Sequence, residues 1–319
     1  MVINNNIWVF SERLGTLAEL IAGANELAKQ THGKVSAVVL GSRENAEQAI
    51  EMGADNIFWL GELSESQLVE DYVPTLAKLV KDSTPMCIMI GATKRGKAVA
   101  GRLAARLGTS VITDIKAFSM ESGEFHGTHM IYGGGAIRIE KAKFGTTIIT
   151  IGQGFFNPKP LDSTIQGNIN EISMVEPEKK ISLIERKKKE TVSVNLASAK
   201  KVVCLGRGVS KEEDLDMFRE MARLLEAEIG CTRPLSEGLG WLPRELYIGV
   251  SGVFIKPDLY ISFGVSGQVQ HTVGITASKV VVAIDKDENA AIFPQADYGI
   301  VADLYKIAPA LIDVLRRRT

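Results

Sequence analysis

The stretch that decides the fold is DLYISFGVSGQVQH, residues 258–271, which joins an apolar run to a loop rich in glycine and polar side chains. Its first half, DLYISFG (258–264), is typical of a buried strand, and its second half holds one of the four histidines of the chain. A loop that only turned the chain would need fewer polar groups. Since ligands of open parallel sheets bind beyond the carboxyl ends of strands, this loop is a candidate binding site.

Five further clusters of glycine and polar residues lie in the same half of the chain. They are GRG (206–208), GCTRP (230–234), IGVSG (248–252), DKDENAAIF (285–293) and ADL (302–304). Taken singly, each fits an ordinary turn between a strand and a helix. Together they indicate one extended ligand, such as a dinucleotide, because glycine lets backbone N–H groups approach a pyrophosphate.

Short apolar runs alternate with helical patterns along most of the chain, which predicts parallel sheets covered by helices on both faces. In the first half the predicted strands are 6–10, 34–40, 56–60 and 85–91, and the predicted helices are 14–30, 43–52, 73–80 and 97–107. Residues 115–156 are interpreted as antiparallel strands that complete the first domain. In the second half the predicted strands are 200–206, 258–264, 279–285 and 298–303, and the predicted helices are 211–229 and 305–318.

These patterns predict an α/β protein of two domains. The first, residues 1–190, has a parallel sheet with added antiparallel strands. The second, residues 191–319, has a Rossmann-like or flavodoxin-like sheet. The 319 residues are enough for two such domains, and 45% hydrophobic with 24% charged residues is typical of globular proteins.

Charge and cysteine content exclude several classes of function. The formal net charge of −1 gives no basic field for nucleic acid or an anionic membrane. No apolar run reaches the length of a membrane span, and the N-terminus lacks a signal-peptide pattern. Cys87, Cys204 and Cys231 form no CxxC pair, so we expect neither a disulfide framework nor a zinc site, but reduced thiols in a cytoplasmic protein.

Two motifs are interpreted as structural rather than functional. GATKRGKA (91–98) approaches a phosphate-binding P-loop, but Ala98 stands where that motif needs the hydroxyl that holds Mg²⁺. We interpret it as a helix start with cationic side chains. The basic run at 186–189 has no interleaved aromatic residues, so we interpret it as a solvated linker or strand end.

The second half resembles the FAD domain of the electron transfer flavoprotein α-subunit family, in both the order and the spacing of its motifs. The N-terminal half shows the same likeness more weakly, so that essentially the whole chain is covered. The motifs that carry the resemblance are GRGV (206–209), TRPLSEGLGWLPRELYIGVSG (232–252), KPDLYISFGVSGQVQH (256–271), VVVAIDKDENAAIF (280–293), ADYGIVADLYKIAPAL (296–311), GATKRGKAVAGRLAARLGTSVITDI (91–115) and IYGGGAIRIE (131–140).

The resemblance implies an electron carrier that is not itself a substrate-converting enzyme. Such a protein is a heterodimer with a β-subunit, and its α-subunit holds one FAD. It takes electrons from a flavin dehydrogenase, typically an acyl-CoA dehydrogenase, and passes them to a quinone oxidoreductase or another acceptor. The first domain would contact the β-subunit, which could carry AMP or a second FAD.

The resemblance also implies a set of FAD-binding residues. Arg207 would approach the diphosphate and Arg233, beside Thr232, the isoalloxazine ring. The Ser251 hydroxyl would reach flavin N5, and His271 a pyrimidine carbonyl. Residues 266–271 would bind the diphosphate and the ribityl chain. Asp285, Asp303 and Leu304 would lie near the adenosine. The full predicted set is Arg207, Thr232, Arg233, Ile248, Gly249, Val250, Ser251, Ser266, Gly267, Gln268, Val269, Gln270, His271, Asp285, Asp303 and Leu304.

Two positions depart from the family pattern. Val250 stands where the family usually has Gln, which removes an amide near the flavin ring. Asp285 stands where it usually has Asn, and a carboxylate accepts hydrogen bonds from ribose hydroxyls but cannot donate. Both affect the tuning of the site more than FAD binding itself.

Two other classes of function remain open at this stage. One is an NAD(P)-binding oxidoreductase subunit built on the same sheet, although the sequence lacks GxGxxG followed by an acidic residue about 20 positions later. The other is a regulatory module that binds an adenine nucleotide and has no redox role.

Overall fold

The computed structural model describes residues 4–121, 124–141, 145–177, 181–186 and 196–317. The chain divides into two compact units, one of Met1–Ile131 with Ile137–Lys188 and one of Tyr132–Ala136 with Lys189–Thr319. The boundary predicted at 190/191 lies outside the described residues, as does the basic run at 186–189 apart from Arg186. None of the helices in the described part of the chain has the length and apolarity needed to cross a lipid bilayer.

The described residues of the first unit form one large sheet flanked by helices. Its strand order is β7-β6-β5-β8-β4-β1-β2-β3-β9. The strands are β1 (Asn4–Phe10), β2 (Val35–Val39), β3 (Asn56–Trp59), β4 (Pro85–Gly91), β5 (Val111–Glu121), β6 (Glu124–Ile131), β7 (Ala136–Lys141), β8 (Thr147–Ile151) and β9 (Asn168–Glu171). The helices are α1 (Leu14–Thr31), α2 (Arg43–Glu51), α3 (Val73–Ser83) and α4 (Lys94–Leu107).

The antiparallel interpretation of residues 115–156 is correct for the hairpin but wrong for the last strand. β5 and β6 pair antiparallel, with Phe118 opposite Gly127. β8 instead lies between β4 and β5 and runs parallel to both. The physical reason is its sequence, TIITI, in which all five residues are buried. A strand covered on both faces is typical of the interior of a parallel sheet.

Residues 168–175, for which the sequence predicted no strand, contribute to the first unit. β9 pairs parallel with β3, with Asn56 opposite Asn168. Beyond it, the backbone N–H of Val175 donates to Thr75 Oγ1 at 2.9 Å. Residues 168–175 are therefore packed against the sheet and α3, although their polar composition gives no strand signal.

The second unit contains one parallel sheet with the strand order β11-β10-β12-β13-β14. This is the order of flavodoxin-like sheets, and it agrees with the predicted fold class. The strands are β10 (Lys201–Leu205), β11 (Glu228–Cys231), β12 (Leu259–Phe263), β13 (Val281–Asp285) and β14 (Tyr298–Val301). The helices are α5 (Leu215–Leu225), the one-turn α6 (Val269–Thr272) and α7 (Leu304–Arg316).

The helix predicted over 211–229 is shorter, because residues 228–231 form β11. α5 ends at Leu225, and Glu226 takes a left-handed conformation with φ of 52° that turns the chain. β11 then pairs parallel with β10, with Val203 opposite Ile229. The cluster GCTRP therefore begins in β11 and continues past its end, which places Thr232 and Arg233 at the carboxyl edge of the sheet.

Candidate functional site

The loops after β10 and β12 meet where the strand order of the second sheet reverses. This is the position at which open α/β sheets bind ligands. A Cβ at position 206 would lie 2.0 Å from the Gly264 carbonyl oxygen, and one at position 208 would lie 2.6 Å from the Gly264 Cα. The three glycines therefore let the two loops pack backbone against backbone, a role that precedes any approach of a ligand.

A cavity of about 270 Å³ opens at this edge and contains all three residues predicted to lie near the adenosine, Asp285, Asp303 and Leu304. Asp285 Oδ1 accepts the N–H of Asp287 at 3.0 Å, and Asp303 Oδ1 accepts the N–H of Tyr305 at 2.9 Å as the N-cap of α7. Two carboxylates in one small cavity suit the hydroxyl groups of a sugar, which donate hydrogen bonds to them.

A second cleft, of about 680 Å³, adjoins the first and contains Arg207. Its other walls include Pro234, Leu239 and Trp241, and Ser210 lines both spaces. Arg207 is exposed and carries a permanent charge beside an apolar surface. The two spaces therefore form neighbouring parts of one edge. Asp285 and Asp303 line the first together with Lys286, and Arg207 lines the second.

The predicted residues Ile248 to Ser251 form a tight turn that is bound to α6. The N–H of Val250 donates to the Gln270 carbonyl at 2.8 Å. Gly249 has a φ of 145°, and a Cβ there would lie 2.4 Å from that same carbonyl. The side chain of Val250 is 44% exposed, and the exposed Ser251 has its Oγ 3.4 Å from the Tyr247 hydroxyl.

His271 is buried and holds this turn by a hydrogen bond to its first residue. Its Nδ1 lies 2.9 Å from the Ile248 carbonyl oxygen, which can only accept, so Nδ1 carries the proton. Its Nε2 lies 2.7 Å from the hydroxyl of Tyr260, whose pKa is raised by burial. Burial also lowers the pKa of His271 to about 4, against the opposing effect of the Ile248 hydrogen bond. His271 is therefore neutral at pH 7, with both ring nitrogens occupied by the protein.

Arg233 and Thr232 follow β11 and differ in their surroundings. The Arg233 side chain is 66% exposed, and its Nε donates to Glu237 Oε2 at 2.7 Å. Glu237 also binds Arg244 through its other oxygen, at 3.1 Å. Thr232 Oγ1 is buried and has no hydrogen-bond partner among the described residues. A buried hydroxyl without a partner costs free energy unless a bound group satisfies it.

The residues from Ser266 to Gln270 form the end of the loop after β12 and the first residues of α6. Ser266, Gln268, Val269 and Gln270 are exposed at the surface of the loop. Gly267 is buried with a φ of 79°, and a Cβ there would lie 2.1 Å from the backbone nitrogen of Ile292. The loop after β12 therefore also packs against the segment after β13.

The near P-loop of the first unit starts an ordinary helix. Thr93 caps α4 by accepting the N–H of Gly96 at 2.8 Å. Lys97, which would hold phosphate in a P-loop, pairs with Asp114 Oδ2 at 2.6 Å. This lysine is engaged with a carboxylate, in agreement with the structural interpretation.

Several residues of this edge were not predicted from the sequence, among them Ser210, Glu237, Tyr260 and Tyr305. Glu237 could have been found, because it lies four positions after Arg233 and opposite charges at that spacing attract on a helical turn. The tyrosines carry no such signal, because Tyr260 reads as part of an apolar strand and Tyr305 as part of an apolar helix face.

The donor and acceptor set of this edge fits FAD. The cavity lined by Asp285 and Asp303 offers acceptors for ribose hydroxyls, and Arg207 offers a cation for a diphosphate. The Thr232 hydroxyl lacks a partner among the described residues. All these groups lie at the carboxyl edge of one parallel sheet. The contacts that the resemblance implies between individual side chains and flavin atoms stay predictions.

Comparison with known proteins matches both units to one protein family. A model of the electron transfer flavoprotein domain matches residues 13–177, and one of the electron transfer flavoprotein FAD-binding domain matches residues 195–276. YdiR of Escherichia coli (strain K12), assigned as an electron transfer flavoprotein subunit, is 41% identical over 313 residues, which cover 98% of this chain and 99% of that protein. FixB of Escherichia coli O139:H28 (strain E24377A / ETEC) and FixB of Shigella flexneri are each 35% identical over 314 residues, with 98% and 99% covered. The chain therefore belongs to the electron transfer flavoprotein family and is of its α-subunit type.

Proposed function

We propose that this chain binds one FAD in its second unit and carries electrons from a flavin dehydrogenase to a separate acceptor. The observation that supports this most directly is the cavity lined by Asp285, Asp303 and Leu304, because the end of β13 and the start of α7 meet where the resemblance places the adenosine. Bound FAD supplies the redox chemistry, and the residues of this chain bind and orient it.

We propose a role for five of the predicted residues from their surroundings. Asp285 and Asp303 accept hydrogen bonds from ribose hydroxyls, and Arg207 binds the diphosphate through its guanidinium. Thr232 donates its hydroxyl hydrogen to the cofactor. Arg233 places positive charge near the flavin, and part of that charge is offset by Glu237.

The turn from Ile248 to Ser251 presents backbone groups and the Ser251 hydroxyl to the flavin ring. His271 and Gln270 hold this turn through the contacts described above. A direct hydrogen bond from His271 to a flavin carbonyl would require the ring to give up its bond to the Ile248 carbonyl, because Nδ1 carries its only N–H. Residues 266–270 bind the diphosphate and ribityl chain. Val250, which replaces the usual amide, contributes no polar contact beyond its backbone.

The partners follow from family membership. We propose a β-type subunit that docks on residues 1–190, a donor of the acyl-CoA dehydrogenase type, and a quinone oxidoreductase or another acceptor. The β-subunit carries AMP or a second FAD. We place the complex in the cytoplasm, where its buried free thiols Cys87, Cys204 and Cys231 would stay reduced.

The test is the content and the reduction of the purified complex. The chain is co-expressed with its β-type partner, and the released cofactors are separated and identified. We expect one FAD per second unit, a blue-absorbing oxidised spectrum, and bleaching of that spectrum by a reduced acyl-CoA dehydrogenase. The complex alone should not consume the acyl-CoA. A complex that carries NAD(P) or only an adenine nucleotide would refute the proposal in favour of one of the two rival functions.

A further inference from the structure

The hydroxyl of Tyr305 joins the first turn of α7 to the loop after β10. The N–H of Ser210 donates to this hydroxyl at 2.8 Å. The hydroxyl donates its own hydrogen to Asp214 Oδ2 at 2.5 Å, and the N–H of Lys211 donates to the same oxygen at 3.2 Å. The hydroxyl is therefore used in both directions, and one of its bonds is to a charged group, which makes that bond stronger than a neutral one.

The loop that Tyr305 holds is the one that contains Arg207. At its near end the N–H of Gly206 donates to the Phe263 carbonyl at 2.9 Å, and the N–H of Gly208 donates to the Gly264 carbonyl at 3.1 Å. At its far end Ser210 is bound by Tyr305. Backbone bonds therefore hold the loop on both sides of Arg207, and the Tyr305 hydroxyl holds the part of the loop that follows, at Ser210.

Tyr305 also reaches the opposite wall of the acidic cavity. It lines that cavity together with Gly208, Asp285 and Asp303. Its own N–H donates to Asp303 Oδ1, so the same residue binds an acidic group of one wall through its backbone and the loop of the other wall through its side chain. Tyr305 therefore connects the loop after β10 with the start of α7 across this cavity.

We propose that Tyr305 is a positioning residue for the cofactor, which holds residues 206–210 in the conformation that receives the adenosine and diphosphate. The proposal rests on the proposed function, because it concerns the affinity for FAD. A loop that is ordered before the ligand arrives loses less conformational entropy on binding, so the hydroxyl increases the affinity without having to contact FAD.

The test compares two Tyr→Phe variants in the complex with the β-type partner. Y305F removes the hydroxyl between the loop and α7. Y298F makes the same chemical change on β14, where the side chain is 65% exposed and lines neither cavity. FAD is removed from each complex and titrated back, and binding is followed by the change in flavin fluorescence. We expect the Kd for FAD to rise about tenfold in Y305F and to stay within about twofold in Y298F.

Two further readouts separate a positioning role from a general loss of stability. The redox potential of the flavin bound to Y305F should equal that of the wild type, because the hydroxyl acts at the end of the site away from the ring. The melting temperature of the FAD-free complex should fall only slightly in Y305F relative to Y298F, because the two hydrogen bonds of the Tyr305 hydroxyl are lost. Lower melting of Y305F with an unchanged Kd would mean a structural role only, and would overturn the proposal.

The remaining outcomes are equally decisive. A wild-type complex that takes up no FAD would refute the proposed function, and this is known before any variant is made. Wild-type binding with an equal Kd in Y305F would overturn this inference alone. If Y305F does not fold, D214N decides, because the amide keeps an oxygen acceptor for the hydroxyl without the charge. We expect a rise of a few fold in its Kd, and an unchanged Kd would again overturn the proposal.

Discussion

Acid should destabilise the second unit through His271. The folded unit holds this ring neutral, and burial lowers its pKa from 6.5 to about 4. The unfolded chain therefore binds a proton in the window between pH 6.5 and pH 4 that the folded unit does not bind. The contribution of the neutral ring to stability is fully present above pH 6.5 and is lost as the pH falls through this window.

The size of the effect follows from the two pKa values. The folded and unfolded pKa values differ by 2.5, which corresponds to about 3 kcal/mol of stability at about 1.4 kcal/mol for each pKa unit. The whole of it is lost once the ring is protonated in both states. At pH 5 the unfolded chain is almost fully protonated at this site and the folded unit is not, so about 2 kcal/mol is already lost. Carboxylates titrate over the same range, and a variant is needed to isolate the histidine.

The variant H271Q removes the titration and keeps a neutral polar side chain at the site. The assay is hydrogen exchange of peptides from β12 and β13 of the full chain in increasing urea, at pH 7 and at pH 5. H271Q should be less stable than the wild type at pH 7, because the hydrogen bonds of the imidazole are disturbed. The gap should shrink by about 2 kcal/mol at pH 5.

The control H32Q removes an exposed imidazole at the end of α1, in the other unit. It should leave the exchange of β12 and β13 at both pH values as in the wild type. A gap between wild type and H271Q that is the same at pH 7 and pH 5, within about 0.5 kcal/mol, would refute the reasoning, since the ring would then titrate alike in both states.

Three other predictions concern the site and the core. G249A should lower the free energy of unfolding by about 2 kcal/mol or more, because of its φ of 145° and the 2.4 Å approach to the Gln270 carbonyl. G101A, on α4 with open space around it, should be neutral or slightly stabilising in the same urea titration. R233A should lower the first one-electron potential of the bound flavin by about 40 mV, since the exposed, ion-paired guanidinium contributes about 1 kcal/mol. A redox titration that gives an unchanged or higher potential would contradict the role of Arg233. The thiols Cys87, Cys204 and Cys231, whose pKa values are all raised by burial, should resist a thiol reagent at pH 8 and react only after unfolding. Rapid labelling of the folded chain would show that one of them is accessible.

The sequence predicted the structure best where an apolar run alone marked a strand. The strands β12 and β13 are apolar runs that end in polar loops, and both the strands and the position of the loops at the carboxyl edge follow from that pattern. Asp285 and Asp303 could be placed together because parallel strands bring their carboxyl ends to one edge. Their meeting in one cavity with Leu304 agrees with that reasoning.

The errors came from places where local pattern and tertiary packing disagree. β11 was absorbed into the preceding helix, because Glu226 turns the chain in a left-handed conformation that a non-glycine residue rarely adopts. The direction of β8 could not be predicted, because a strand runs parallel or antiparallel according to the strands that pair with it. The sequence also assigned the glycines 206, 208 and 264 to the approach of a ligand, whereas they first allow two loops to touch.

The placement of β8 and β9 in the first sheet has a consequence for the order in which the chain folds. β4, which is made early, finds its outer neighbour only when residues 147–151 follow, after the whole β5–β6 hairpin. β3 gains its outer neighbour later still, when residues 168–171 are made and pair with it at the far edge of the sheet. During synthesis the strands β1 to β4 would form a sheet with two open edges, and unpaired edges promote aggregation. Folding of this unit should therefore be slow, governed by contacts between distant segments, and sensitive to chaperones that cover the growing edges.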